Sequence, residues 1–175
     1  MINIRVSGVD EVVRALKELK ASTKEKLHML AERLMNEGYD IAVRGFDEAK
    51  YAGTKDVKVD PPVWEGDTLV LRAHGNSVAF IEFGTGKHYE EYPDESMLSK
   101  IGAVGRGQYD KHKGEHPPWI YLGDAGDLGE IKAYKKSTGE PIVSTMGNPP
   151  ARAMYDASKV LDKEHVLQIA KEVFK

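Results

Sequence analysis

Two histidines and a glutamate form the pattern in this sequence that is closest to a metal-binding motif. His112, Glu115 and His116 place two imidazoles four residues apart, with a carboxylate beside the second. On a helix, imidazoles at this spacing share one face and can hold a catalytic zinc ion. Gly114 and Pro117 oppose a helix here, and the glutamate is misplaced for a general base. We therefore predict a solvated loop and no metal site; a small metal-dependent hydrolase is the alternative.

A glycine-rich string at residues 84–87 suggests a second chemistry, the binding of phosphate. A P-loop needs a glycine five residues before its second glycine, where this chain has Ile81. It also needs Ser or Thr after the lysine, where this chain has His88. The string instead predicts a turn built on two left-handed glycines. Glu82, just before it, is predicted to be a structural carboxylate that caps the backbone of this turn.

Basic and aromatic side chains are interspersed between residues 106 and 136, a composition that can bind single-stranded nucleic acid. They are Arg106, Tyr109, Lys111, Lys113, Lys132, Tyr134, Lys135 and Lys136. Acidic residues interrupt them, and the formal net charge of the whole chain is −3, so no global basic field favours nucleic acid. These side chains are predicted to be solvated, and a nucleic-acid-binding module is a second alternative.

Length and composition limit the remaining possibilities. The 175 residues fit one domain, and the absence of cysteine excludes disulfides and thiolate chemistry. No apolar run reaches the ~18 residues that span a bilayer, and the first residues do not resemble a signal peptide. We expect a soluble protein with no membrane contact, no cofactor and no catalytic residue. No Ser-His-Asp arrangement stands out.

Hydrophobic spacing predicts the elements of the N-terminal region. Alternating apolar residues indicate a strand at residues 2–6, and apolar residues at helical spacing indicate a short helix at 9–19. Residues 21–23 are predicted to separate this helix from a second one. Ser22 and Glu25 form a capping-box pattern that would begin the second helix.

The second helix carries the clearest apolar stripe in the sequence. The stripe is formed by Leu27, Leu30, Leu34, Ile41, Ala42, Phe46 and Ala49. Gly38 and Gly45 lie within it, and each costs roughly 1 kcal/mol in a helix interior relative to alanine. They mark a bend or allow another element to approach closely; the bend is the preferred interpretation.

Shorter elements follow the long helix. The alternation at residues 57–59 predicts a strand that the prolines at 61–62 stop, and residues 68–73 predict another strand. Residues 74–76 are typical of a turn. Residues 77–83 fit either a strand or a short helix, because periodicity does not decide over so few positions.

Residues 87–147 are rich in glycine, proline and tyrosine, and we interpret them as an excursion inserted into a smaller core. A structureless loop of this length is uncommon in a compact domain. The excursion is therefore predicted to contain a hairpin with strands at 131–135 and 141–145, joined around 137–139. Asn148 then resembles a helix cap, with two prolines at the first helical positions. Asp162 is predicted to interrupt this closing helix.

Four features, in order, resemble a family of siphophage tail components typified by gene product ten of phage Hong Kong 97: three short strings and the long helix. The first is Ile4-Arg5-Val6-Ser7-Gly8-Val9-Asp10-Glu11, and the long helix follows it. The third is Ala79-Phe80-Ile81-Glu82-Phe83-Gly84-Thr85-Gly86, and the last is Pro150-Ala151-Arg152-Ala153-Met154. Many relatives join the last two strings by a short link, whereas this chain has residues 87–147 between them.

The resemblance implies an α+β fold, with a small, mostly antiparallel sheet packed on the long helix and the closing helix. It also implies a non-enzymatic virion protein of head–tail joining or tail completion, which forms a homo-oligomeric ring. Its partners would be the connector and the tail tube, and the only nucleic acid it meets would be DNA passing through the lumen. The subunit would be made in the host cytoplasm, either monomeric or oligomeric in isolation, and would end in the virion.

Within that picture, two groups of residues have an expected structural role. Residues Glu82, Phe83, Gly84, Thr85 and Gly86 would hold the turn from which the excursion leaves. Pro150 and Arg152 would fix its return beside that turn.

Overall fold

The computed structural model describes residues 9–86 and 118–175, and its fold class is α+β, as predicted. The helices are α1 (Val9–Glu48), α2 (Val78–Phe83), α3 (Ala153–Ser158) and α4 (Lys163–Val173), with a 3₁₀ turn at Lys159–Leu161. The strands are β1 (Lys58–Glu65), β2 (Thr68–His74), β3 (Trp119–Leu122), β4 (Glu130–Tyr134) and β5 (Pro141–Thr145). The predicted strand at residues 2–6 lies outside the described residues.

Helix α1 is continuous over 40 residues, so the predicted break at residues 21–23 is wrong. The stretch from Val9 to Glu37 contains no glycine or proline that would interrupt a helix. The hydroxyl of Thr23 donates to the carbonyl of Leu19 (2.8 Å), a bond that accommodates threonine inside a helix. The Ser22–Glu25 pattern therefore lies within a helix and begins none.

The two glycines of α1 face α3 at short range. A Cβ atom at Gly45 would lie 2.7 Å from the Cβ of Ala153, and one at Gly38 would lie 3.3 Å from the carbonyl oxygen of Ala157. Ala42, between them, is fully buried. This geometry supports close approach as the role of the glycines, in place of the preferred bend.

Gly45→Ala is expected to lower the free energy of unfolding by about 1–2 kcal/mol, although alanine is the better helix former. The reason is the contact with Ala153, which is too short for an added methyl group. Gly38→Ala is the matched control, because its neighbours are further away. Urea unfolding of both variants measures the difference, and stabilisation by both changes would contradict the close-approach interpretation.

Strands β1 and β2 form an antiparallel hairpin that packs against α1. The predicted stop at the prolines is wrong, since β1 runs through Pro61 and Pro62 to Glu65. The register shifts between Asp60 and Val63, where the prolines lie. An irregularity of this kind tolerates proline because ladder hydrogen bonds are already interrupted there.

The C-terminal part of the predicted excursion folds into a second antiparallel sheet, with strand order β3-β5-β4. The predicted hairpin is confirmed as β4 and β5. Strand β3 was not predicted, because its sequence, Trp119–Leu122, lacks the alternation of apolar and polar residues that indicates a strand. Residues 9–86 and 118–175 therefore contain two small antiparallel sheets, one of two strands and one of three, where a single sheet was expected.

The closing helical region begins later than predicted. Helix α3 starts at Ala153, and Arg152 before it has a left-handed backbone with φ of 57°. The predicted interruption at Asp162 is confirmed: this residue is extended and separates the 3₁₀ turn from α4. Phe46, Ile81 and Ala153 form the buried cluster where α1, α2 and α3 meet. Within the described residues, no helix has both the length and the apolar character needed to cross a membrane.

Candidate functional site

The two strings that bracket the predicted excursion lie side by side, and we call residues 81–86 with 148–155 the junction. Backbone hydrogen bonds run from the N–H of Thr85 to the carbonyl of Asn148 (2.8 Å) and from the N–H of Ala151 to the carbonyl of Ile81 (2.8 Å). The N–H of Arg152 donates to the carbonyl of Glu82 (3.1 Å). Residues 81–86, which precede the predicted excursion, are therefore held against residues 148–152, which follow it.

Glu82 caps helix α3 across the junction. Its carboxylate accepts the backbone N–H of Met154 at Oε2 and of Tyr155 at Oε1, each at 3.0 Å. These donors belong to the first turn of α3, where backbone N–H groups lack intrahelical partners and the helix dipole favours a negative charge. Glu82 is only 4% exposed. The predicted structural carboxylate is present, but its predicted target, the turn at residues 84–86, is wrong.

Asn148 joins the junction to the end of α1, and it does not cap the closing helix as predicted. Its Oδ1 accepts the backbone N–H of Ala52 (2.7 Å), while its own N–H and Nδ2 both donate to Oγ1 of Thr85 (3.0 Å each). Both side chains are buried. A lone asparagine before two prolines gives no sequence signal for a partner 96 positions away.

The predicted positive-φ glycines are confirmed, with φ of 75° at Gly84 and 65° at Gly86. A Cβ atom at Gly84 would lie 2.8 Å from the nitrogen of Pro150. Pro150 thus packs directly on the turn, as expected. Arg152 contributes its backbone N–H to the junction, and its side chain is exposed. Phe83, the remaining residue of the motif, is partly buried beside them.

A second cap, at the start of α2, was not predicted. Asp56 accepts the N–H of Asn76 (2.8 Å) and both the N–H (2.8 Å) and the hydroxyl (2.5 Å) of Ser77. These hydrogen bonds, led by that of the Ser77 hydroxyl, lower the pKa of Asp56 from 3.8 to about 2. Asp56 lies 22 residues before Val78, the first residue of α2, and no local sequence pattern reveals this contact.

Asp56 is expected to make the stability depend on pH in acid. A pKa lowered by folding means that the ionised carboxylate stabilises the fold above about pH 3.8, and that this contribution disappears as the pH falls towards 2. In urea unfolding, the difference between wild type and Asp56→Asn should therefore shrink between about pH 4 and about pH 2. A difference that stays constant across this range would contradict the role of the charge.

The β3-β5-β4 sheet is tied to the residues that follow α1. The N–H of Asp127 donates to the carbonyl of Tyr51 (2.8 Å), and Oδ2 of Asp127 accepts the N–H of Tyr51 (3.2 Å). The hydroxyl of Thr54 donates to Asp124 (3.3 Å). Burial raises the pKa of Tyr51, and the carboxylate of Asp56 adds to this shift. The sheet is therefore anchored at the C-terminal end of α1.

Some of the other predicted site residues lie outside the described residues, and the rest lie on or directly after strand β4. His112, Glu115 and His116 lie outside the described residues, as do the basic residues at 106, 111 and 113. Lys132 lies on β4, where its Nζ is 2.5 Å from Oε2 of Glu130. Tyr134, Lys135 and Lys136 are exposed nearby in the sequence. In residues 9–86 and 118–175, no three potential metal ligands come together.

The polar groups described at the junction are engaged in holding backbone. The carboxylate of Glu82, the hydroxyl of Thr85 and the amide of Asn148 each accept or donate bonds that fix one segment against another. Such an arrangement holds residues 81–86 in a fixed position against residues 148–155. Comparison of the chain with protein-family models, with curated proteins and with solved structures finds no match.

Proposed function

We propose that the protein is a non-enzymatic, ring-forming subunit of a phage or prophage virion, acting in head–tail joining or tail completion. The observation that carries the proposal is the junction itself. The Glu82–Gly86 string and the Pro150–Met154 string carry the resemblance, and they are hydrogen-bonded to each other although more than 60 residues separate them. One structural contact therefore gives a physical reason for the residue types and the order of both strings. A chance similarity of two separate strings would give no such reason.

The surface of the subunit also supports an assembly role. Large apolar side chains are exposed on α1 and on the β3-β5-β4 sheet, among them Leu16, Leu19, Ile120 and Leu122. Monomeric proteins rarely expose contiguous apolar surface without using it for an interaction. A subunit that packs between neighbours in a particle would cover such surfaces.

Deleting the gene from the phage that carries it tests the proposal. Electron microscopy of the induced particles should show heads and tails that fail to join, or tails left incomplete. Mass spectrometry of wild-type particles should find the protein among their components. Supplying the wild-type gene in trans should restore infectious particles, and so should a gene that carries Gln168→Ala, a control change on the exposed surface of α4.

Normal, infectious particles from the deletion strain would refute the proposed function. So would purified particles that lack the protein entirely.

A further inference from the structure

The apolar stripe of α1 is covered along only part of its length. Leu16 and Leu34 lie about five turns apart on the same side of the helix, given 3.6 residues per turn. Leu34 is 4% exposed, whereas Leu16 is 59% exposed. Val13, Leu19 and Leu27 are also exposed on this side. The stripe that builds the core in the second half of α1 therefore continues, uncovered, into the first half.

The three-stranded sheet has a second apolar surface, which is exposed at Ile120 and Leu122. Register places Ile120 opposite Ser144, and Leu122 opposite Ile142, so all four side chains are on the same face of the sheet. Ala133, on the neighbouring strand β4, also pairs with Ile142, so its side chain lies on this same face. Ile120 is 69% exposed, whereas Val143, on the reverse face, is fully buried. We call the surface of Ile120, Leu122, Ala133 and Ile142 the outer sheet face.

The two uncovered surfaces lie at opposite ends of the described structure. The sheet is anchored to residues 51–54, just after the end of α1. At 1.5 Å per residue, the helix axis between Leu19 and Glu48 is roughly 40 Å long. A single rigid helix therefore keeps these two apolar surfaces apart within one copy.

We infer that the N-terminal half of α1, residues 13–27, packs on the outer sheet face of a second copy of this chain. A contact between two different surfaces of identical subunits is head-to-tail, and it repeats until it closes into a ring or continues as a filament. The two segments also have net charges of opposite sign. Residues 13–27 contain five basic and two acidic side chains, and residues 118–147 contain three basic and four acidic ones.

The contact deepens the ring-forming role proposed above, and only its closure into a ring rests on that proposal. The contact itself rests on the two exposed surfaces and on their separation. An isologous pairing of α1 with α1 would leave the outer sheet face uncovered. A head-to-tail contact covers both surfaces with one interface.

The absence of cysteine makes the contact testable by cross-linking the full-length chain. Leu16→Cys and Ile120→Cys are made as separate variants, mixed, and treated with a short bis-maleimide cross-linker. The mixture should give the mixed dimer in about tenfold higher yield than a mixture of Glu18→Cys with Ile120→Cys, because a specific contact raises the effective concentration of the paired thiols. Glu18 lies on the opposite side of α1, two residues from Leu16.

Three outcomes would overturn the inference. The first is Leu16→Cys cross-linking to itself as well as it does to Ile120→Cys, which indicates helix–helix pairing. The second is equal yield from the Glu18→Cys control. The third is an intramolecular cross-link in the double variant at high dilution, which indicates that the two surfaces meet within one chain.

Virion composition separates this inference from the proposed function. If mass spectrometry finds the protein in particles but cross-linking fails, the function stands and the contact is wrong. If cross-linking succeeds but particles lack the protein, the contact stands and the phage role is wrong.

Discussion

Glu82→Ala is expected to lower the free energy of unfolding by roughly 3 kcal/mol, because it leaves two partly buried helix N–H groups without this acceptor. The carboxylate is 4% exposed and receives the N–H groups of Met154 and Tyr155. Losing it removes the cap of α3 and loosens the contact between α3 and α1. Urea unfolding followed by circular dichroism measures the loss directly.

Two further variants show whether the cap is responsible. Glu82→Gln keeps one carbonyl oxygen at the site and should lose only about half as much stability, since hydrogen bonds to a charged acceptor are roughly twice as strong. Glu25→Ala, on the exposed side of α1, should change stability by less than about 0.5 kcal/mol. If Glu82→Ala were as stable as Glu25→Ala, the capping role would be wrong.

Gly84→Ala is expected to lower the free energy of unfolding by roughly 3–4 kcal/mol, through backbone strain and a steric clash together. Gly84 has φ of 75° and ψ of 171°, a region that is essentially restricted to glycine. Its Cβ atom would also lie 2.8 Å from the nitrogen and 2.9 Å from the Cδ of Pro150. Neither atom of Pro150 can move without displacing the backbone around it.

Gly139→Ala is the matched control, because Gly139 has the same φ of 75° and no atom within 4 Å of an added Cβ. Its cost should be only about 1 kcal/mol, the contribution of backbone strain at an exposed turn. The difference between the two variants in chemical unfolding then measures the clash with Pro150 together with any extra strain from the ψ of 171° at Gly84. Equal losses would mean that Pro150 does not constrain the turn.

A double change, Gly84→Val with Gly86→Val, should abolish particle assembly if the proposed function is correct.

Some features of the fold could be predicted because their causes are local. The helical spacing of apolar residues from Leu27 to Phe46 requires no knowledge of the rest of the chain. The positive φ at Gly84 and Gly86 was also expected, since glycine is the residue that adopts such angles without penalty. The hairpin of β4 and β5 follows from two apolar runs around a short turn.

Other features were wrongly predicted because neighbouring residues, strand pairing or a distant contact override a local preference. The residues at 21–23 suggested a helix boundary, but the surrounding residues are good helix formers and the helix continues through them. Pro61 and Pro62 suggested the end of a strand, but the irregular register of the hairpin accommodates them. Asn148 had the residue type and neighbours of a helix cap, yet its side chain bonds to Ala52 and Thr85.

The sequence by itself determined where the backbone must turn and which sides of its helices are apolar, because these properties depend on each residue and its near neighbours. Only the tertiary structure decided the partners of the polar groups. Glu82 was recognised as a structural carboxylate, but its target, the start of α3, lies more than 70 residues along the chain. The same holds for Asp56 and the start of α2. A buried polar group must find a partner, and which partner it finds depends on the packing of the whole chain.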